Sequence, residues 1–308
     1  MSHHHHHDAP APAHGGKLPS RWALGAALAC TLAIAVAEFV GGVLANSLAL
    51  QGDAGHMLSD AAALGVSFLA AWLATRPMTA RRTFGFHRAE VLAALLNSVF
   101  LLGIAGWVGI RAIGRLGDPV EVAAVPVLII AMIGLIVNLV ALKILGHHQH
   151  SNLNIRGAFL HVLGDTLGSA GVIVAAIVIQ FTGWNTIDSL VSIGIACLLV
   201  LSGVRLLRDS ISVLMLATPK SVDGEAVRSG LLSLPGILGI HDLHIWTVNS
   251  GFVSLSCHAD IEADTPTDVI LRSATQLLRE RFGIRHVTIQ PEVTRVHTDA
   301  DSCQILAT

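Results

Sequence analysis

The chain has 308 residues, of which 53% are hydrophobic and only 13% charged, and its mean hydropathy is +0.66. That balance excludes an ordinary soluble globular protein and fits a polytopic membrane protein. A formal net charge of −2, without any Lys/Arg block interleaved with aromatics, gives no reason to expect nucleic acid as a partner.

Residues 1–21 are polar and rich in Pro, Gly and His, with His3 to His7 consecutive. They are predicted to form a disordered cytoplasmic tail, and a metal-gathering natural tail and an added purification tag both fit. Six apolar runs follow, at about 22–45, 48–74, 89–113, 122–145, 155–180 and 186–208. Each is near the roughly 20 residues needed to cross about 30 Å of hydrocarbon. The joins carry breakers: Asn46-Ser47, Arg76-Pro77, Asp118-Pro119, 146–154 and Thr182-Gly183. Lys17, Arg21, Arg76, Arg81, Arg82, Arg88, Lys143, Arg156, Arg205 and Arg208 fall on one side, against Arg111 and Arg115 near the other. The six runs predict an integral membrane protein, abundant Ala, Leu, Val and Gly with a short cytoplasmic loop point to a bacterial inner membrane, and the basic bias predicts that both termini are cytoplasmic.

The stretch from Gly52 is echoed from Gly157: His56 and Asp60 recur as His161 and Asp165, 105 positions on. A match at a three-helix offset implies halves of opposite polarity, the inverted repeat of secondary transporters with a site at the midplane. A carboxylate at mid-membrane costs roughly 2.5–3.5 kcal/mol even on the mildest insertion scale, so something must compensate it. Residues i and i+4 project from one helix face, so His56 with Asp60, and His161 with Asp165, offer two imidazoles and two carboxylates to one interior point. That set suits tetrahedral Zn²⁺, whereas Mg²⁺ and Ca²⁺ want oxygen alone. Imidazole must be neutral to bind metal, so metal and protons compete for the same atoms, and competition of that kind is antiport.

After the last span the composition changes. We expect a transport domain over 22–208, a linker over 209–218, a metal-binding domain over 219–297 and a flexible tail over 298–308. The pattern predicts a helix from Val222, strands at Gly239 to Val248 and Phe252 to Ile261 around a turn, a helix at Thr267 to Phe282 and a strand at His286 to Glu292. A further strand before the first helix would give the ferredoxin-like order, and without it the sheet is α-β-β-α-β. The cysteines Cys30, Cys197, Cys257 and Cys303 have no Cys-x-x-Cys spacing, which argues against a disulfide framework and a zinc ribbon. An intramembrane metalloprotease would need His-Glu-x-x-His, but Met57 follows His56 and Val162 follows His161, so no enzyme is expected. A membrane-anchored metal sensor is the binding-module rival.

From Ala35 to Glu292 the chain resembles the cation diffusion facilitator family. The resemblance is carried by 47–60 with its Gly-Asp-Ala-Gly-His-Met-Leu-Ser-Asp, by Thr83 to Glu90, by His161-Val162-Leu163-Gly164-Asp165 and by His241-Asp242-Leu243-His244-Ile245-Trp246. It implies a homodimeric six-helix exporter of Zn²⁺, driven by inward proton movement, with a cytoplasmic α+β domain of ferredoxin-like fold including a first strand just before Val222. Zn²⁺ would be both cargo and regulatory ligand, with Cd²⁺ admitted by the same ligands and Mn²⁺, Fe²⁺ or Co²⁺ as alternative main substrates. In the soluble domain His241, His258, His286 and Glu292 match positions where family members bind zinc. His244 would face the other way on a regular strand. Leu271 and Gln290 depart from histidines of some relatives, and Thr79, Arg82 and Phe86 replace an additional loop site, which His87 alone would not restore. Arg88 and Asp209 match a pair that interlocks the dimer. His147, His148 and His150 lie where members carry a histidine-rich loop.

Overall fold

The computed structural model describes residues 21–74, 76, 79–146, 153–249 and 251–293. The expected tails, Ser250 and the loop bearing His147, His148 and His150 lie outside the described residues.

Six long helices open the chain: α1 (Arg21–Leu44), α2 (Leu48–Ala74), α3 (Ala89–Gly117), α4 (Ala124–Gly146), α5 (Leu153–Thr182) and α6 (Thr186–Leu214). At about 1.5 Å per residue the shortest reaches roughly 34 Å, enough for a bilayer core. Among the described residues, α3, α6 and the Val162–Thr182 part of α5 are long and apolar enough to cross a membrane, and Thr31–Leu44 and Ala124–Val140 are shorter apolar stretches. The expected second span carries polar side chains, with Gln51, Asp53, His56 and Asp60 along its first half. That half is nevertheless buried from Leu48 to Gly55, because α2 packs on α1 and α3 and also reaches α5 and α6. The outer helices present Leu96, Ile110, Ile129, Ile136, Leu167 and Leu201 to the surroundings, each more than half exposed, as a lipid-facing surface requires.

At one end of the bundle the three helix joins are tied together. The Ala123 amide donates to the Ala45 carbonyl (3.0 Å), the Val122 amide to Asn185 Oδ1 (3.0 Å), and Arg115 Nη1 to the Asn46 carbonyl (2.6 Å). Asp188, at the start of α6 and 2% exposed, accepts from Ser47 Oγ (2.5 Å), the Leu48 amide (2.8 Å) and the Ala49 amide (3.4 Å). It thereby caps α2 from another helix, meeting donors that the first turn leaves without intrahelical partners.

The α2–α3 join lies at the opposite end, where it meets the soluble domain. There His87 Nδ1 lies 3.3 Å from Asn249 Nδ2, and its ring stands edge-on to Phe252 at 5.9 Å. Phe84 meets His286 at 6.0 Å. The domain comprises α7 (Gly224–Leu232), β1 (Ile237–Asn249), β2 (Phe252–Ile261), α8 (Thr267–Phe282) and β3 (His286–Glu292). β2 is central, antiparallel to β1 and parallel to β3, with Leu255, Cys257, Ala259 and Ile261 forming the core beside Val227, Leu231, Ile270, Ala274 and Leu278 of the helices.

Two expectations need correction. The strand implied before Val222 is absent among the described residues, so the α+β order is α-β-β-α-β. The change of composition near 208 is not a helix end either: α6 continues to Leu214, because its exit from the apolar layer breaks no backbone hydrogen bond.

Cys257 is 2% exposed, and burial pushes its thiol up to about 12. The thiolate is the nucleophile, so iodoacetamide at pH 8 should leave Cys257 unlabelled in the folded protein and modify it in denaturant, read by peptide mass spectrometry. Because the folded value lies above the unfolded 9, stability from this group is intact below pH 9 and falls as pH rises toward 12.

Candidate metal centres

His56 and Asp60 lie one turn apart near the middle of α2, and Asp165 lies on α5. His56 is the hub: Nδ1 stands 3.5 Å from Asp60 Oδ2, and Nε2 stands 3.3 Å from Asp165 Oδ1. One ligand atom from each of the three lies within 4.8 Å of the others. His161 is on α5 one turn before Asp165, but its side chain is outside the described residues. Imidazole nitrogen and carboxylate oxygen from two helices are thus brought to one partly sheltered point. Such a donor set fits a borderline dication such as Zn²⁺.

Two more carboxylates lie in the same bundle. Glu38 of α1 is fully buried, and neither side-chain oxygen has a hydrogen-bond partner. Asp53, one turn before His56 on α2, is 4% exposed, and Ser169 Oγ of α5 donates to its Oδ2 at 2.9 Å. An ideal Cβ on Gly134 would meet Glu38 Oε1, and one on Gly168 would come within 3.1 Å of Asp53 Oδ1, so glycines make room for both. Both are polar residues in apolar stretches of the chain, but their depth shows only in the fold.

The second centre lies on the open face of the sheet. His241 of β1 pairs with His258 of β2, and Asp260 of β2 with Glu292 of β3. His258 Nδ1 is 2.7 Å from Glu292 Oε1, while His241 Nε2 is 3.5 Å from both Glu292 Oε2 and Asp260 Oδ1. Glu292 also accepts from Gln290 Nε2 at 3.0 Å. His241 and Glu292 are 6% and 4% exposed, and His241 Nε2 makes no hydrogen bond. A buried nitrogen facing two carboxylates without a hydrogen bond is chemically suited to a dication, so this donor set fits Zn²⁺.

His286 is not brought to that point. It sits at the far end of β3, six residues and roughly 20 Å from Glu292, and packs on Phe84 and Phe252. Asp260 stands in the vicinity instead, a residue that sequence reasoning missed although it shares a strand face with His258. β1 is also irregular. A bulge between His241 and His244, with Asp242 at φ 47°, pairs His244 with Ser256 and turns it to the same face as His241, against the alternation expected of a regular strand. Removing Glu292 takes away the group nearest both histidines. Glu292→Ala should weaken zinc binding at this domain at least about 10-fold by titration calorimetry.

In the α2–α3 join, Thr79 and Arg82 form an isolated bridge and the Arg82 guanidinium covers the Phe86 ring at 4.4 Å. Asp209 takes Lys220 Nζ at 2.8 Å within the chain, both exposed.

Residues 24–215 match a family model described as the cation efflux transmembrane domain, and residues 219–294 match one described as the cation efflux protein cytoplasmic domain. Curated relatives include the metal cation efflux system protein CzcD of Cupriavidus metallidurans, 41% identical across 90% of this chain and 88% of its own. The cadmium, cobalt and zinc/H(+)-K(+) antiporter of Bacillus subtilis is 44% identical across 87% of this chain and 88% of its own. The zinc transporter ZitB of Escherichia coli is 38% identical across 88% and 87%.

Proposed function

The chain belongs to the cation efflux, or cation diffusion facilitator, family, and from that premise we propose that it is a secondary transporter exporting Zn²⁺ from the cytoplasm in exchange for protons. It is a carrier rather than an enzyme. The observation that carries the reading is His56, whose two ring nitrogens face a carboxylate of its own helix and one of α5 at 3.5 and 3.3 Å.

His56, Asp60, His161 and Asp165 are the transport ligands. Facing inward, the site takes Zn²⁺ as the imidazoles and carboxylates shed protons. After the helices rock, protons arriving from outside displace the ion. Residues 22–208 do the carrying. Residues 219–297, with His241, His258, Glu292 and Asp260 as the metal-binding group, report cytoplasmic zinc and hold a homodimer together. The protein lies in the inner membrane with both termini cytoplasmic, and the basic bias supports this orientation, as does contact of the α2–α3 join with the soluble domain. Relatives named for cadmium and cobalt as well as zinc favour Cd²⁺ and Co²⁺ as secondary cargo.

The test is zinc uptake into proteoliposomes loaded with a zinc-sensitive dye. Imposing a pH gradient should drive accumulation, and collapsing the gradient with a protonophore should stop it. Accumulation indifferent to the gradient would overturn proton exchange. Zinc binding without any flux would favour the sensor.

A further inference from the structure

Glu38 takes no part in either metal centre, yet among the described residues it is the ionisable group of the bundle with the least exposed surface. It lies on the packed face of α1 with Ala35 and Gly41, fully buried, with both oxygens lacking a hydrogen-bond partner. A carboxylate sealed among apolar helices without a hydrogen-bond donor is costly to keep ionised, so the acid form suits this place. The room around it is made for it: Gly134 of α4 carries no side chain where the Glu38 carboxyl lies. One turn further along α4, Asn138 is 7% exposed, and its Nδ2 also makes no hydrogen bond.

Gly41 and Gly42 of α1 lie against Leu50 and Gln51 of the antiparallel α2, so one turn back along α1 Glu38 is about level with Asp53, the ionisable group of α2 at this depth, while α4 contributes only the neutral Gly134 and Asn138. Asp53 is in turn bonded to Ser169, one turn along α5 from Asp165. Along α2, Asp53 is roughly 5 Å nearer than His56 to the tied end of the bundle. In the orientation proposed above, that end is the outer one.

We propose that Glu38 is a proton-carrying site separate from the metal ligands, a relay that loads from the outer face and passes its proton, by way of the Asp53–Ser169 pair, toward the His56–Asp165 cage. When zinc is released, the Glu38 carboxyl gives up its proton to the vacated ligands, becomes a carboxylate and is reprotonated from outside. Metal binding itself requires nothing of it. This inference rests on the proton-exchange reading of the transporter.

The test separates proton-coupled movement from metal exchange. In proteoliposomes, Glu38→Gln keeps the size of the side chain but cannot release a proton. It should lower accumulation driven by a pH gradient at least about 10-fold, while exchange of zinc inside for cadmium outside at equal pH stays within about twofold of the unaltered protein. Retained exchange also reports that the variant is folded. Glu38→Asp, which still titrates, should recover driven accumulation. The proposal is overturned if Glu38→Gln accumulates normally, if it loses exchange along with accumulation, or if Glu38→Asp is as slow as Glu38→Gln. If the unaltered protein exchanges metal but ignores the gradient, proton coupling itself fails, a result visible before any variant is compared.

Discussion

Asp165→Asn is expected to abolish zinc transport, lowering the initial rate by at least about 100-fold. The asparagine keeps the shape of the side chain, but it withdraws the negative charge that lies 3.3 Å from His56 Nε2. Asp165 offers a carboxylate oxygen to the point that His56 and Asp60 share, and losing even an outer partner of a metal ligand typically costs about 10- to 100-fold, so losing a ligand itself should reach the upper end of that range or beyond. The measurement is dye-reported zinc uptake under a fixed pH gradient, accompanied by calorimetric binding to the purified variant. An asparagine variant with normal uptake would remove Asp165 from the cargo site.

The second large effect is on assembly. Asp188→Ala should destabilise the detergent-solubilised protein by about 3 kcal/mol or more, because it strips one hydroxyl and two helix-start amides of their acceptor in a buried place. Thermal unfolding should shift downward by several degrees, and uptake should fall because α2 carries His56 and Asp60. Asp188→Asn, which keeps one acceptor oxygen, should fall between the two. An unchanged melting curve for the alanine variant would mean that solvent or Ser47 replaces the carboxylate at no cost.

Much of this architecture can be read from the chain. Apolar length fixed six helices to within a few residues except at the far end of the last, and the i, i+4 spacing of His56 and Asp60, repeated at His161 and Asp165, pointed to a shared interior point. The structure brings His56, Asp60 and Asp165 to one another. Other features have no local signature. Asp188 looks like an unremarkable polar residue at a helix start, because its partners Ser47, Leu48 and Ala49 lie about 140 positions away. His286 resembles a ligand by its place in a family pattern, but reach along a strand is set by about 3.3 Å per residue, and that distance removes it from Glu292. The bulge at Asp242 is a backbone event that neither composition nor alternation discloses.

With the termini cytoplasmic, as proposed above, the seam joining the three loops lies on the outer side and has a kinetic corollary. Ala45 with Ala123, Val122 with Asn185 and Asn46 with Arg115 clasp helices from both halves of the chain, so an ion departing that way must wait until the clasp unfastens. Each net bond adds roughly 1 kcal/mol to that wait. Turnover is then governed by how tightly the rim is latched as much as by how firmly the cargo is gripped, and loosening Asn185 would quicken release while leaving affinity untouched.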